Sequence, residues 1–387
     1  MGLLMRFLYF FPLENINYSY LLHGHSHVAM LGWTYLMLYV LIVHFFIPKA
    51  KRRKPVYSRL FWVTEFAVAG MMISFPLQGY ALFSIMFSAL HIVLSYVFFG
   101  LVLRDRSKGK RKDKKLLLAG ILFMAFSTLG IWSLGPVISL EGRQSIFYQI
   151  AIQFFLHFQF NGWFLLAVLA LFLKQFKNET DRDKFMIFFI LLIAATFTTF
   201  AFPLSWYIKN TLISCMSAIG VVLQFFAFVY FYKMLKPQIA SFKTTLDTTA
   251  KMIYGLAIFS LFLKVFVQLM LLFPDIATVS HQIRGFVIGF IHLTALGVIT
   301  GFLFGILIQN KLLSGTSSLV RWGVKSFVLG YIFTEIQLFV QGGLFYFNKG
   351  GLPGYYESVF GSGVFIVLGL VFIIISEFKI KKQGPIN

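Results

Sequence analysis

Runs of about 20 apolar residues recur from one end of the 387-residue chain to the other. No other feature restricts the fold as much. A bilayer's hydrocarbon core is about 30 Å thick, which a helix of about 20 residues crosses. No water reaches backbone groups at that depth, so each run must close its own hydrogen bonds as a helix. The short alternating segments of a membrane β-barrel are absent. Composition agrees: 59% of residues are hydrophobic and 12% are charged, unlike a soluble globule. The expectation is an all-α polytopic membrane protein.

Eleven spans are read, twelve at most, at roughly 22–47, 60–80, 82–103, 116–138, 146–174, 185–207, 211–235, 251–273, 282–309, 321–347 and 356–379. Residues 1–20 read as an outer interfacial segment: "MGLLMRFLYFFPLE" is apolar but has no small-residue cleavage site, so no cleavable signal peptide is expected. No soluble domain is visible, and residues 1–387 read as one transmembrane domain. Cys215 is the only cysteine, which excludes an intrachain disulfide and a cysteine-based metal cluster.

The net charge of +21 would suit nucleic-acid binding if it were gathered on one soluble face. Instead it sits in alternate short loops. Of 34 Lys and Arg, 28 fall in or beside "KAKRRK", "RDRSKGKRKDKK", "KQFKNETDRDK", "KMLKPQIASFK", 311–325 and "KIKK". Five lie in the other loop set: Arg6, Arg143, Lys209, Arg284 and Lys349. Lys264 lies within a span. This asymmetry predicts a multi-pass inner (plasma) membrane protein with its N-terminus outside and its C-terminus cytoplasmic. The bilayer, not nucleic acid, is the expected partner.

Histidine is the main metal-ligand type the chain can offer at depth. "YLLHGHSHVAMLGWTYL" places His23, His25 and His27 at the outer end of the first span. His157 lies in the outer half of the fifth span, and His281 and His292 in the outer part of the ninth. His91 is near the middle of the third, and His44 is apart at the cytoplasmic end of the first. The outer-half histidines thus recur every four spans, a threefold pseudo-repeat of position with no evident residue-level repeat. At 100° per residue, His23 and His27 share a helix face and could hold one ion, while His25 points elsewhere. His281 and His292 would also share a face, about 16 Å apart along the axis.

"LHGHSHVAMLGW" resembles the histidine-bearing helices of the heme-copper oxidase superfamily, closest to the His-x-His…Gly-Trp pattern of its nitric-oxide reductase and C-type oxidase branches. "LHFQFNGWFLLA" is similar to the helix carrying that family's first copper-ligand histidine. "RGFVIGFIHLTALGVITGF" resembles the His-containing helices of the NnrS family of heme- and copper-containing membrane proteins. The first resemblance implies a pseudo-threefold ring of helices like the oxidase catalytic subunit. It implies a heme held by His25 or His27 and by His292, with Arg284 on a propionate. His157 would face copper or a second iron, with His23, His91 and His281 as further candidate metal ligands. It also implies an electron-donor protein or small redox subunit, and oxidoreductase chemistry on oxygen or nitric oxide. The sixth span contains no histidine, so the family's His-His pair has no counterpart there.

Lys264 and Glu335 lie well inside the eighth and tenth spans. An ionised group at that depth costs about 2.5–3.5 kcal/mol even on the milder scales, so a mutual pair, neutralisation by a pKa shift, or a proton path is expected. The rival expectation is a secondary transporter of a metal ion or small solute, with the histidines, Lys264 and Glu335 on its route.

Overall fold

The computed structural model describes residues 1–107, 109, 111–176 and 181–382, with side chains through 379. Lys108, Lys110 and Lys177, counted above among the basic loops, lie outside the described residues. Helices and turns make up the described chain, with no strand among them. Among the described residues, eleven helices are long and apolar enough to cross a membrane: Tyr18–Phe46, Pro55–Gln78, Leu82–Asp105, Lys112–Glu141, Ile146–Leu173, Arg182–Ser205, Thr211–Thr244, Thr248–Leu272, Arg284–Gln309, Ser318–Tyr346 and Tyr355–Lys379. The protein is an all-α polytopic membrane protein with the eleven spans read from the sequence.

Local chemistry sets many of the starts. Asn17, Ser145, Asp181, Asn210 and Asp247 each accept a backbone N–H of the first turn that follows. Pro55 opens the second span, where its missing N–H costs nothing. Gly79, at φ +61°, turns the chain between the second and third spans against the Tyr20 ring. The seventh helix exceeds the sequence reading. It runs 34 residues to Thr244, through Pro237, so the whole of "KMLKPQIASFK" is helix and not loop.

The first, fifth and ninth spans form the centre, each packing against both others. In the fifth and ninth, 78% of the most apolar window is buried, against 22% in the eleventh. Every residue of Leu165–Leu173 is buried, as are all from Gly301 through Ile308. The Trp33 indole donates to Thr300 Oγ1 at 2.9 Å and ties the first span to the ninth. The remaining spans surround this triad, mostly beside their sequence neighbours.

The amino-terminal stretch does more than lie at an interface. Gly2–Phe7 is a short helix packed on the first and eleventh spans. Arg6 Nη1 donates to the Val359 carbonyl at 2.7 Å and to Thr334 Oγ1 at 3.3 Å.

Candidate functional site: the histidines at three π-helical turns

Each central span changes its winding directly after a histidine. The α-helix ends at His27, His157 and His292, and π-helix follows over Val28–Thr34, Phe158–Phe164 and Leu293–Thr300. The Tyr35 and Leu165 N–H groups bond carbonyls five residues back, on Met30 and Phe160. Such segments are rare and concentrate at functional sites.

Five residues beyond each histidine stands a glycine: Gly32, Gly162 and Gly297. A Cβ there would meet Val68, Phe123, or the Tyr331 and Ser260 hydroxyl region, respectively. The missing side chain thus lets an outer helix press onto each wide turn. The positional repeat therefore has a residue-level counterpart, His-x4-Gly, followed by Trp33 and Trp163 in two copies. Aligning the three histidines would have exposed it in the sequence.

The first-span histidines divide as helical geometry predicts. His23 and His27 both face Tyr80, with ring centroids 4.7 and 5.7 Å away. His27 also packs on Phe75 at 4.2 Å and donates from Nδ1 to the His23 carbonyl at 2.9 Å. His25 points the other way. Its ring lies against Gly2, where an added Cβ would stand 3.2 Å from Cε1, and within electrostatic range of Arg6.

His292 belongs with His25. His25 and Arg6 both lie within electrostatic range of His292. His292 Nδ1 is 3.9 Å from Glu335 Oε1. That nitrogen and both Glu335 oxygens are buried without a hydrogen-bond partner. Neither the His25 nor the His292 ring makes a hydrogen bond among the described residues. The first, ninth and tenth spans and the amino-terminal helix therefore bring two uncommitted imidazoles, a carboxyl group and a guanidinium together. Burial lowers the Arg6 pKa, while Glu335 and Tyr355 act to raise it. Sequence reasoning missed Arg6. Its only signal was a lone cation inside an apolar amino-terminal stretch.

Other expected ligands are committed elsewhere. His91 is buried beneath the first π turn, donates from Nε2 to the Leu31 carbonyl at 3.2 Å, and meets Tyr35 edge-on. His157 donates from Nε2 to the Thr196 carbonyl at 2.8 Å, within electrostatic range of Lys264. Arg284 is exposed; its Nη2 donates to Tyr18 Oη at 2.7 Å and its guanidinium lies over that ring. Tyr18 also meets Tyr9 Oη at 3.4 Å, and burial with this contact pushes the Tyr9 phenol up to about 12.

The shared face expected for His281 and His292 does not form. The ninth helix begins only at Arg284, and His281 sits in the preceding turn, stacked on Trp206 at 4.9 Å. Burial, then the nearby Lys209 ammonium, push the His281 pKa below the usual imidazole range.

Lys264 and Glu335 do not pair either. Lys264 is fully buried, donates to Gln268 Oε1 at 2.7 Å and lies 5.4 Å from the Phe290 ring centre. Among the described residues, no three of His, Cys, Asp and Glu gather where they could hold one metal ion. No family model and no curated protein matches the chain.

Proposed function

We propose that the protein is a heme-binding membrane redox protein, with His25 and His292 as the side chains that would hold the iron. The observation carrying this reading is the pair of uncommitted imidazoles from distant stretches of chain, set beside orphaned polar atoms of His292 and Glu335. The donor set fits. A six-coordinate heme takes two protein nitrogens, so the absence of a three-ligand cluster among the described residues is no obstacle. The heme would supply one-electron transfer. The chain's residues would supply ligation, burial and charge. Arg6 offers a cation to an anionic group, and Glu335 offers an acceptor to His292 Nδ1, orienting that ring. Electron transfer is the activity proposed, from a donor protein or small redox subunit. The basic loops support an orientation with the histidine end outside the cytoplasm.

The test is the absorption spectrum of protein purified from heme-replete cells. A Soret band that shifts on dithionite reduction is expected. A colourless preparation would contradict the reading.

Lys264 favours one second reading, a secondary transporter, because a fully buried amine among neutral partners suits a coupling site in that class. A colourless preparation holding stoichiometric zinc or copper would support it.

A further inference from the structure

The seam between the second and third spans does not close. At the basic end it holds a furrow of about 500 Å³ lined by Lys54, Val56, Arg59, Leu60, Val63 and Leu94, among others. A second furrow of about 360 Å³ continues the seam toward the other end, between Phe66 and Gln78 on one helix and Phe83 and Phe87 on the next.

Charge at the mouth separates the first furrow from an ordinary lipid-facing gap. Two cations nearby are occupied: Lys51 pairs with the buried Asp105 at 3.3 Å, and Arg52 donates to the His44 carbonyl at 2.6 Å. Lys54 and Arg59 are exposed, and their side chains enter no ion pair or hydrogen bond among the described residues. They flank the first turn of a helix opened by Pro55. Leu60 and Val63 follow on the same helix, at depths of about 8 and 12 Å from Pro55. The furrow thus has two free cations at its rim and aliphatic walls below.

We propose that this furrow is a specific site for an anionic glycerophospholipid, its phosphate between Lys54 and Arg59 and an acyl chain along Leu60, Val63, Leu94 and Val97. Basic pockets between membrane helices hold anionic headgroups in this way, and each cation near a negative membrane surface contributes about 1 kcal/mol. A zwitterionic lipid fills the furrow equally well but gains less at the rim. The assignment rests on the proposed cytoplasmic placement of the basic end but not on heme, so the spectrum above and the test below fail independently.

The test is phospholipid retained by the full chain purified in mild detergent, quantified by mass spectrometry against the membrane it came from. The wild type should be enriched in phosphatidylglycerol or cardiolipin over phosphatidylethanolamine. Lys54→Gln with Arg59→Gln should lower that enrichment about fivefold per cation removed. Leu94→Trp, which fills the furrow and keeps both cations, should lower it as well, while Arg143→Gln should not. All variants are first checked for a single symmetrical elution peak. Unchanged anionic lipid in both furrow variants would overturn the proposal, as would a wild type without headgroup preference. So would a shift from dimer to monomer in Leu94→Trp with lipid content unchanged, which would assign the furrow to a second copy.

Discussion

His292 Nδ1 lies 3.9 Å from Glu335 Oε1, and neither atom has a hydrogen-bond partner. The separation exceeds a hydrogen bond, but both groups are buried and nothing else satisfies them. A carboxylate accepting from the far nitrogen of a ligating imidazole makes that imidazole a stronger donor to its metal.

Glu335→Gln tests this relationship. Donation from a carboxylate-backed imidazole favours ferric iron, so its loss should raise the heme midpoint potential and flatten its dependence on pH. Redox titration followed in the Soret region measures both. An unchanged potential with an unchanged pH slope would separate Glu335 from the heme.

The glycine beyond each histidine makes a second prediction. Gly162→Ala puts a methyl group 2.6 Å from Phe123 Cγ, in a ring stacked on Phe158. Overpacking of this kind costs about 1–3 kcal/mol. Gly255 is helical with nothing within 4 Å of an added Cβ. There alanine should stabilise, by about 0.5–1 kcal/mol. Thermal unfolding in detergent should move the two variants in opposite directions; equal shifts would contradict the packing described.

His281 should report pH through Trp206. Its pKa is lowered in the folded protein, so the unfolded chain binds more protons between that lowered value and about 6.5. Stability from this group is therefore complete above about 6.5 and falls as pH drops toward the folded value. Protonation beneath the stacked indole should quench its fluorescence. The difference between wild type and Trp206→Phe should titrate with a midpoint below 6.5. A midpoint above that would contradict the burial assigned to His281.

Lys264→Met removes a fully buried amine and keeps the length of the side chain. Gln268 Oε1 still accepts from Gln224 Nε2. Stability should be unchanged or higher, by up to about 3 kcal/mol if the amine is charged at that depth. Marked destabilisation would show that the contacts of Lys264 with Gln268 and Phe290 are structural.

The legible part of the fold was the part written in composition. Apolar run length and the placement of Lys and Arg define eleven spans, and the 100° step of a helix separates His25 from His27. Arg6 was not legible, because its role depends on a six-residue helix folding back onto spans that end hundreds of residues later. His281 misled, because no glycine or proline marks the turn before Arg284. The His-x4-Gly repeat was present but hidden, since no residue between the two ends is shared by all three copies.

The most direct measurement is heme content per chain in the wild type and in His25→Ala, His292→Ala and His44→Ala, each purified from heme-replete cells. His44 is exposed at the opposite end of the first span and serves as the control. The account predicts stoichiometric heme in the wild type and in His44→Ala, and its loss from the other two. Equal heme in all four proteins, or none in any, would contradict it.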